Sequence, residues 1–198
     1  MKPSKTGIII LAAGSSSRLG QPKQLLTYEG KTLIRRSMEA AFESKSNACV
    51  LVLGANFELI SNEVQDTYVD IIINYDWETG MASGMQKGLD FLEKKISPDQ
   101  VILMLCDQPF VDSELLNSMI EKQAKTGKGI IACLYKDTFG VPALFSKKYF
   151  PELIQLKGSE GAKKVIYAHQ LDMEKIDFPD GAIDIDTLDD YKKLTRGI

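Results

Sequence analysis

A chain of 198 residues, 44% hydrophobic and 26% charged, has the make-up of an ordinary globular protein and is long enough to bury a full core. Its formal net charge of -3, with Lys and Arg mixed among Asp and Glu, excludes a broad basic face for nucleic acid, so an anionic ligand has to be held locally. Cys49, Cys106 and Cys133 stand singly in apolar segments without CxxC spacing, which argues against a disulfide framework or a zinc cluster and fits a reducing cytoplasm.

The opening stretch MKPSKTGIIILAAG holds an apolar run too short to span a membrane and unlike a signal peptide, which predicts a cytoplasmic protein without a membrane partner. Gly7 to Ala13 reads as a buried strand running into a loop rich in glycine and serine. Thr32 to Ser44 follows as an amphipathic helix, with Thr32 as N-cap and Ile34, Met38, Ala41 and Phe42 on its apolar face. Further apolar runs at Ala48 to Leu53, Val69 to Asn74, Val101 to Cys106 and Gly129 to Leu134 read as buried strands. Asp112 to Lys125 forms a second helix, capped by Asp112 or Ser113, with Leu115, Leu116, Met119 and Ile120 turned to one side.

The second half is less regular. Ala143 to Phe145 is a brief apolar patch, Gly161 to His169 reads as helical, and Asp184-Ile185-Asp186 precedes a last helix. Thr187 to Asp190 resembles a capping box with Asp in the usual Glu place. No repeat or linker divides the chain, so residues 1–198 are expected to form one domain. Alternating strands and helices predict a three-layer α/β/α, Rossmann-like architecture with a mostly parallel central sheet, whose ligands gather at the carboxyl ends of the strands.

The loop after the first strand, LAAGSSSRLGQPK (Leu11 to Lys23), places backbone N–H groups and serine hydroxyls at that carboxyl edge and adds Arg18 and Lys23. Amides and cations together suit the oxygens of a polyphosphate. The spacing from Gly14 through Gly20 to Lys23 is neither a Walker A loop nor GxGxxG, and a solvated surface loop is the alternative. Asp107 ends an apolar strand, where a carboxylate serves either as a turn or cap residue or as a hard oxygen ligand for Mg²⁺ on a triphosphate.

LAAGSSSRLGQPKQLL resembles the signature of the nucleotidyltransferases that attach a nucleotide to the molybdenum cofactor, most closely the cytidylyltransferase branch. The resemblance implies a nucleotidyltransferase fold, a loop that wraps the triphosphate with Leu11, Ala12, Ala13, Gly14, Ser15 and Ser16, and Arg18 and Lys23 as phosphate ligands. Ala13 stands where the guanylyltransferase branch has Gly, which implies CTP over GTP. Residues 74–83, NYDWETGMAS, look like the family's NxxWxxGMxxS element beside base and ribose, bringing in Asn74, Gly80 and Ser83. Asp107-Gln108-Pro109 resembles the family's metal motif and Asp184 to Tyr191 its closing DIDTPEDY element, with Asp186 as second metal ligand; an acidic cap on the last helix is the other reading of that patch.

For the acceptor, Phe139 to Phe145 looks like GxPxxF, bringing in Gly140 and Pro142. Gly158 to Lys164 falls where GDxGAR is usual, bringing in Ser159, Gly161 and Lys163. Ser159 replaces Asp and Lys163 replaces Arg, and a lysine lacks the bidentate fork of arginine. His169 reads as an unpaired surface residue at a helix end. The resemblance thus implies catalysis by Arg18, Lys23 and Asp107 with Mg²⁺: CMP passes from CTP to the terminal phosphate of molybdopterin, pyrophosphate leaves, and the protein docks transiently to a molybdenum hydroxylase. A sugar- or alcohol-phosphate acceptor and a non-catalytic carrier of the cofactor are the alternatives.

Overall fold

Strand β1 (Thr6–Ala12) is buried along its whole length, and it sets the plan of the molecule. Ile8, Ile10 and Ala12 enter the core on one side of the sheet, Ile9 and Leu11 the core on the other, as the two-residue period of a strand requires. The computed structural model describes residues 4–65 and 67–196. Within them a seven-stranded sheet runs in the order β5-β4-β1-β6-β8-β7-β9. Its other strands are β4 (Ala48–Leu53), β5 (Asp70–Ile73), β6 (Gln100–Leu105), β7 (Ile130–Tyr135), β8 (Thr138–Ser146) and β9 (Met173–Asp177). A short hairpin, β2 (Thr27–Tyr28) and β3 (Lys31–Thr32), lies apart.

Helices cover both faces. On one side α1 (Leu33–Phe42), α2 (Phe57–Glu63) and α4 (Ser113–Thr126) supply Ile34, Met38, Ile60, Leu116 and Met119. On the other, α3 (Met81–Lys95), α5 (Phe150–Gln155) and α6 (Lys163–Ala168) supply Met85, Leu89, Leu153, Val165 and Ile166. The result is the three-layer α/β/α architecture with a mostly parallel sheet, and each of the five predicted strands lies within one residue of its expected place. The last helix, α7 (Leu188–Arg196), joins a third small core in which Leu194 and Ile185 meet Leu19, Leu26 and Leu33. That cluster fastens the segment carrying Asp186 against the loop after β1.

The caps form as expected. Thr32 accepts from the Arg35 amide and Asp112 from the Leu115 amide. Thr187 and Asp190 exchange hydrogen bonds, the Asp190 amide donating to the Thr187 hydroxyl and the Thr187 amide to the Asp190 carboxylate. Three details correct the sequence reading. Phe42, in the last turn of α1, is 56% exposed and stacks on Tyr68 instead of entering the core. The patch at Ala143 to Phe145 is the inner part of the nine-residue strand β8, antiparallel to β6 and β7. His169 is paired: its Nε2 lies 2.7 Å from Glu152 Oε2, and its ring packs on Tyr149.

Candidate active site

Strand β1 leads through α1 to β4 on one side, and the chain later returns through α3 to β6 on its other side. The reversal opens a crevice at the carboxyl ends of β1 and β6. A cavity of about 390 Å³ fills it. Leu11, Ala12, Ala13, Gly14 and Ser15 form one wall, Asn74, Trp77, Gly80 and Met81 another, Lys23, Cys106 and Asp107 the floor, and Ser159 the rim. Ser16, Arg18 and Ser83, also expected at the nucleotide, stand outside this lining.

The floor is an ionic cluster. Lys23 Nζ donates to Asp107 Oδ2 at 2.5 Å and to Asp186 Oδ1 at 2.9 Å, joining residues far apart in the chain. Arg18 reaches the same Asp186 at 3.1 Å from a largely exposed position. Burial works to lower the Lys23 pKa, but the two carboxylates outweigh it and hold the ammonium charged. Asp186 is held below the usual carboxylate range, chiefly by its hydrogen bond from Lys23. Burial pushes Asp107 up, against the pull of Lys23, and lifts the neighbouring Cys106 thiol to about 12. Asp107 Oδ1 is buried and has no hydrogen-bond partner.

The loop owes its shape to Gln24, which the sequence reading passed over. This fully buried amide donates to the carbonyls of Ala12 (2.8 Å) and Gly14 (3.1 Å). Ser16, at a φ of 54°, accepts from the Lys23 amide and so closes the turn that delivers the lysine. Such backbone bonds turn a polar loop into a fixed wall. The only signal in the sequence was a glutamine set directly before Leu25 and Leu26.

Asn74 and Ser83 brace the second wall. Asn74, fully buried, donates to the Ser83 hydroxyl (2.8 Å) and accepts from the Asp76 amide (3.1 Å), while Ser83 donates to the Gly80 carbonyl (2.8 Å). Gly80 starts α3 at a φ of 114°, and the Gly158 carbonyl accepts from the Ala82 amide beside it, which brings Ser159 to the cavity. Gly161 faces Met81, a Cβ built there meeting the sulfur at 3.6 Å.

Beyond Asp107, strand β8 bulges at Val141 and Pro142, opposite the step from Ala132 to Cys133. Gln108, a second buried amide the sequence reading did not single out, donates to the carbonyls of Val141 (3.0 Å) and Gly181 (3.2 Å). The Tyr135 hydroxyl also donates to Val141 and lies where a Cβ at Gly140 would be, which explains the glycine. Lys163 is exposed and its aliphatic stem passes close to Gly140, whereas Pro142 is buried. The residues expected at the acceptor therefore fall in two places: Ser159 and Gly161 at the cavity rim, Gly140, Pro142 and Lys163 around the bulge.

The donor set fits a hard divalent cation. Asp107 and Asp186 offer oxygens to one point, and Asp107 Oδ1 is a buried acceptor without a donor. Among the described residues no group of three or more His, Cys, Asp or Glu gathers to hold a metal, so such an ion would complete its shell from a bound substrate and water, as Mg²⁺ commonly does. Among the described residues no helix is long and apolar enough to cross a membrane.

Known proteins resemble this chain in sequence and in fold. Nicotine blue oxidoreductase of Paenarthrobacter nicotinovorans is 35% identical over 54% of this chain and 51% of its own length. Purine catabolism protein PucB of Bacillus subtilis is 26% identical over 96% of both chains. A protein of Bacillus cereus named molybdenum cofactor guanylyltransferase is 27% identical over 65% of this chain and 62% of its own. The crystal structure of Rv0371c from Mycobacterium tuberculosis superposes over 100% of both chains with a TM-score of 0.86 at 29% identity. A manganese complex of Rv0371c superposes with a TM-score of 0.80 at 26% identity, over 98% of this chain and 100% of that one. The MobA-like NTP transferase domain model matches residues 8–173, which include the loop, Lys23 and Asp107, and the chain belongs to that family of nucleotidyltransferases.

Proposed function

We propose that this nucleotidyltransferase works as one cytoplasmic domain spanning residues 1–198, moving CMP from CTP to the terminal phosphate of molybdopterin and releasing pyrophosphate. The observation that carries the reading is the meeting of Lys23, Asp107 and Asp186 on the cavity floor beneath a loop whose backbone is fixed by Gln24. Phosphate esters are ionised at neutral pH, so the acceptor needs no protein nucleophile, and the enzyme's task is alignment and charge neutralisation. The loop from Ala13 to Ser15 would cradle the triphosphate, Lys23 and Arg18 would meet its oxygens, and Asn74, Gly80 and Ser83 would shape the base and ribose wall. Asp107 and Asp186 would hold a Mg²⁺ that neutralises the triphosphate, so that as the acceptor phosphate bonds the α-phosphorus the bond to the β-phosphate breaks and the β- and γ-phosphates leave as pyrophosphate. The acceptor phosphate would approach from the rim at Ser159 and Gly161, with Gly140, Pro142 and Lys163 shaping its far end. The cofactor product would then pass on as the protein docks transiently to a molybdenum hydroxylase.

Ala13 supports CTP: it lines the cavity together with Trp77, and its methyl narrows the space for a purine. The name of the Bacillus cereus relative favours a second reading, guanylyl transfer. Pyrophosphate release from CTP and GTP with a fixed molybdopterin acceptor separates the two. The parent is expected to favour CTP, and Ala13→Gly to raise kcat/KM for GTP relative to CTP by an amount worth about 1–3 kcal/mol. A parent that prefers GTP, or a ratio that Ala13→Gly leaves unmoved, removes the support for cytidylyl transfer. Absence of turnover with either nucleotide would overturn the acceptor assignment.

Gly14 offers a cleaner probe of the loop. A Cβ built there meets nothing within 4 Å, so the fold does not require the glycine. Gly14→Ala is expected to leave stability within about 0.5 kcal/mol while weakening nucleotide binding on the order of tenfold, because the methyl obstructs close approach of phosphate to the backbone. Thermal unfolding with and without nucleotide reads both effects, and unchanged nucleotide affinity would move the triphosphate away from this glycine.

A further inference from the structure

Lys23 does more in this structure than present a charge to the cavity. Its ammonium lies between the two carboxylates, 2.5 Å from Asp107 Oδ2 and 2.9 Å from Asp186 Oδ1. A Mg²⁺ held by the same two carboxylates would need the space the ammonium now fills. The two cations exclude one another there, by volume and by like charge. The lysine is well placed to stay: its side chain is only 17% exposed, and the Ser16 and Gln24 bonds fix the backbone from which it extends. The side chain of Asp107 retains a second oxygen, Oδ1, buried and unpaired, so the ammonium leaves part of its binding capacity unused.

We propose that Lys23 is an internal counterion that occupies the divalent-cation site of the nucleotide-free protein and makes metal entry conditional on a triphosphate. A bare cation arriving alone has to displace the ammonium and leave it without a partner. A cation arriving with a triphosphate brings oxygens to which Lys23 can turn, so that each charge exchanges one partner for another. The coupling is reciprocal: the triphosphate raises metal affinity by the factor by which the metal raises triphosphate affinity. Arg18 cannot replace the lysine, since it reaches only Asp186 and from an exposed position. The triphosphate half of the proposal rests on the nucleotidyl reading; the exclusion of bare metal does not.

The test titrates Mn²⁺ alone into the full chain, with free ion followed by electron paramagnetic resonance and thermal unfolding recorded in parallel. Lys23→Met is expected to bind Mn²⁺ tighter than the parent by on the order of tenfold or more, as removal of one like charge from the site predicts. It is also expected to gain more in Tm from the ion. Lys23→Gln, which keeps a polar side chain without the charge, is expected to follow it, and Lys23→Arg to stay with the parent. Equal or weaker Mn²⁺ binding in both folded uncharged variants would overturn the proposal, as would tight binding in Lys23→Arg. Adding a non-hydrolysable nucleoside triphosphate is expected to tighten Mn²⁺ binding in the parent and much less in Lys23→Met. Gain of bare-metal affinity without that nucleotide effect would retain the counterion and overturn its release by triphosphate, whereas a nucleotide that leaves the Tm of the parent unchanged with and without Mn²⁺ would overturn the nucleotide site itself.

Discussion

Asp107→Ala is expected to lower turnover by about a hundred- to a thousandfold while the protein still unfolds cooperatively near the parent temperature. The side chain stands at the end of β6, 7% exposed, with one oxygen on Lys23 and the other unpaired. Its removal leaves Lys23 its bond to Asp186, and the Asp107 carbonyl still accepts from the Ile185 amide, so the C-terminal segment stays attached. Burial of a carboxylate oxygen without a donor is a cost to the fold, and its loss offsets part of the broken ion pair. Asp107→Asn keeps the shape and an acceptor for Lys23 but not the charge, and is expected to restore stability without restoring turnover. Steady-state pyrophosphate release at saturating Mg²⁺, alongside thermal unfolding, reads the two separately. Near-parental turnover in the alanine variant would sink the metal role, and collapse of the fold in both variants would make Asp107 a structural residue.

The same residue shows how much could be read before the structure. Buried strands are continuous apolar runs, so β1, β4, β6 and β7 announced themselves, and β5 did so too although it lies at the sheet edge and is not buried as the run implies; a carboxylate after β6 followed from the rule for sheet crevices. Strand β8 did not, because Gly140 and Pro142 interrupt its pattern; the sheet absorbs them in a bulge that turns the Val141 carbonyl toward Gln108 and Tyr135. Strand β9, MEKID, hid for a different reason: an edge strand carries charges that read as loop. Helix α3 was obscured by Gly84 and Gly88, which lower helix propensity and are accommodated by its packing on β1.

At the site, the residues with motif chemistry were legible one at a time, but the bonds between them were not. Nothing in the order of residues says that Lys23 bridges Asp107 and Asp186. That contact depends on the third small core, where Leu19 and Leu26 meet Ile185 and Leu194. Gln24 and Gln108 stand inside the motifs but carry no role legible from them, because an amide side chain has no distinctive reactivity. Their importance lies in the backbone carbonyls they satisfy, and those become neighbours only after folding.

Gly80→Ala is expected to be the most damaging single methyl in the cavity wall. At a φ of 114° the residue occupies backbone space that alanine resists, which alone costs about 1–3 kcal/mol. The added Cβ would also lie 2.2 Å from the Gly158 carbonyl oxygen and 2.8 Å from the Ser159 amide nitrogen, and these are backbone atoms that no rotamer change can move. The loop has to leave the start of α3, losing the bond from the Ala82 amide to Gly158 and withdrawing Ser159 from the rim. Gln86, bonded to the carbonyls of Ile154 and Leu156, still pins the end of α5 to α3, so the disturbance is expected to stop at the loop. Faster tryptic cleavage after the exposed Lys157, a lower Tm and a loss of kcat/KM on the order of tenfold or more are the expected readings, since misplacement of a substrate-positioning segment by about 1 Å is enough. Gly127→Ala serves as the control for strain alone, because that glycine, at a φ of 68° after α4, has nothing within 4 Å of a built Cβ. If Gly80→Ala melts, resists trypsin and turns over like Gly127→Ala, the contact with Gly158 does not position the rim, and the Ser159 loop is not fixed by α3.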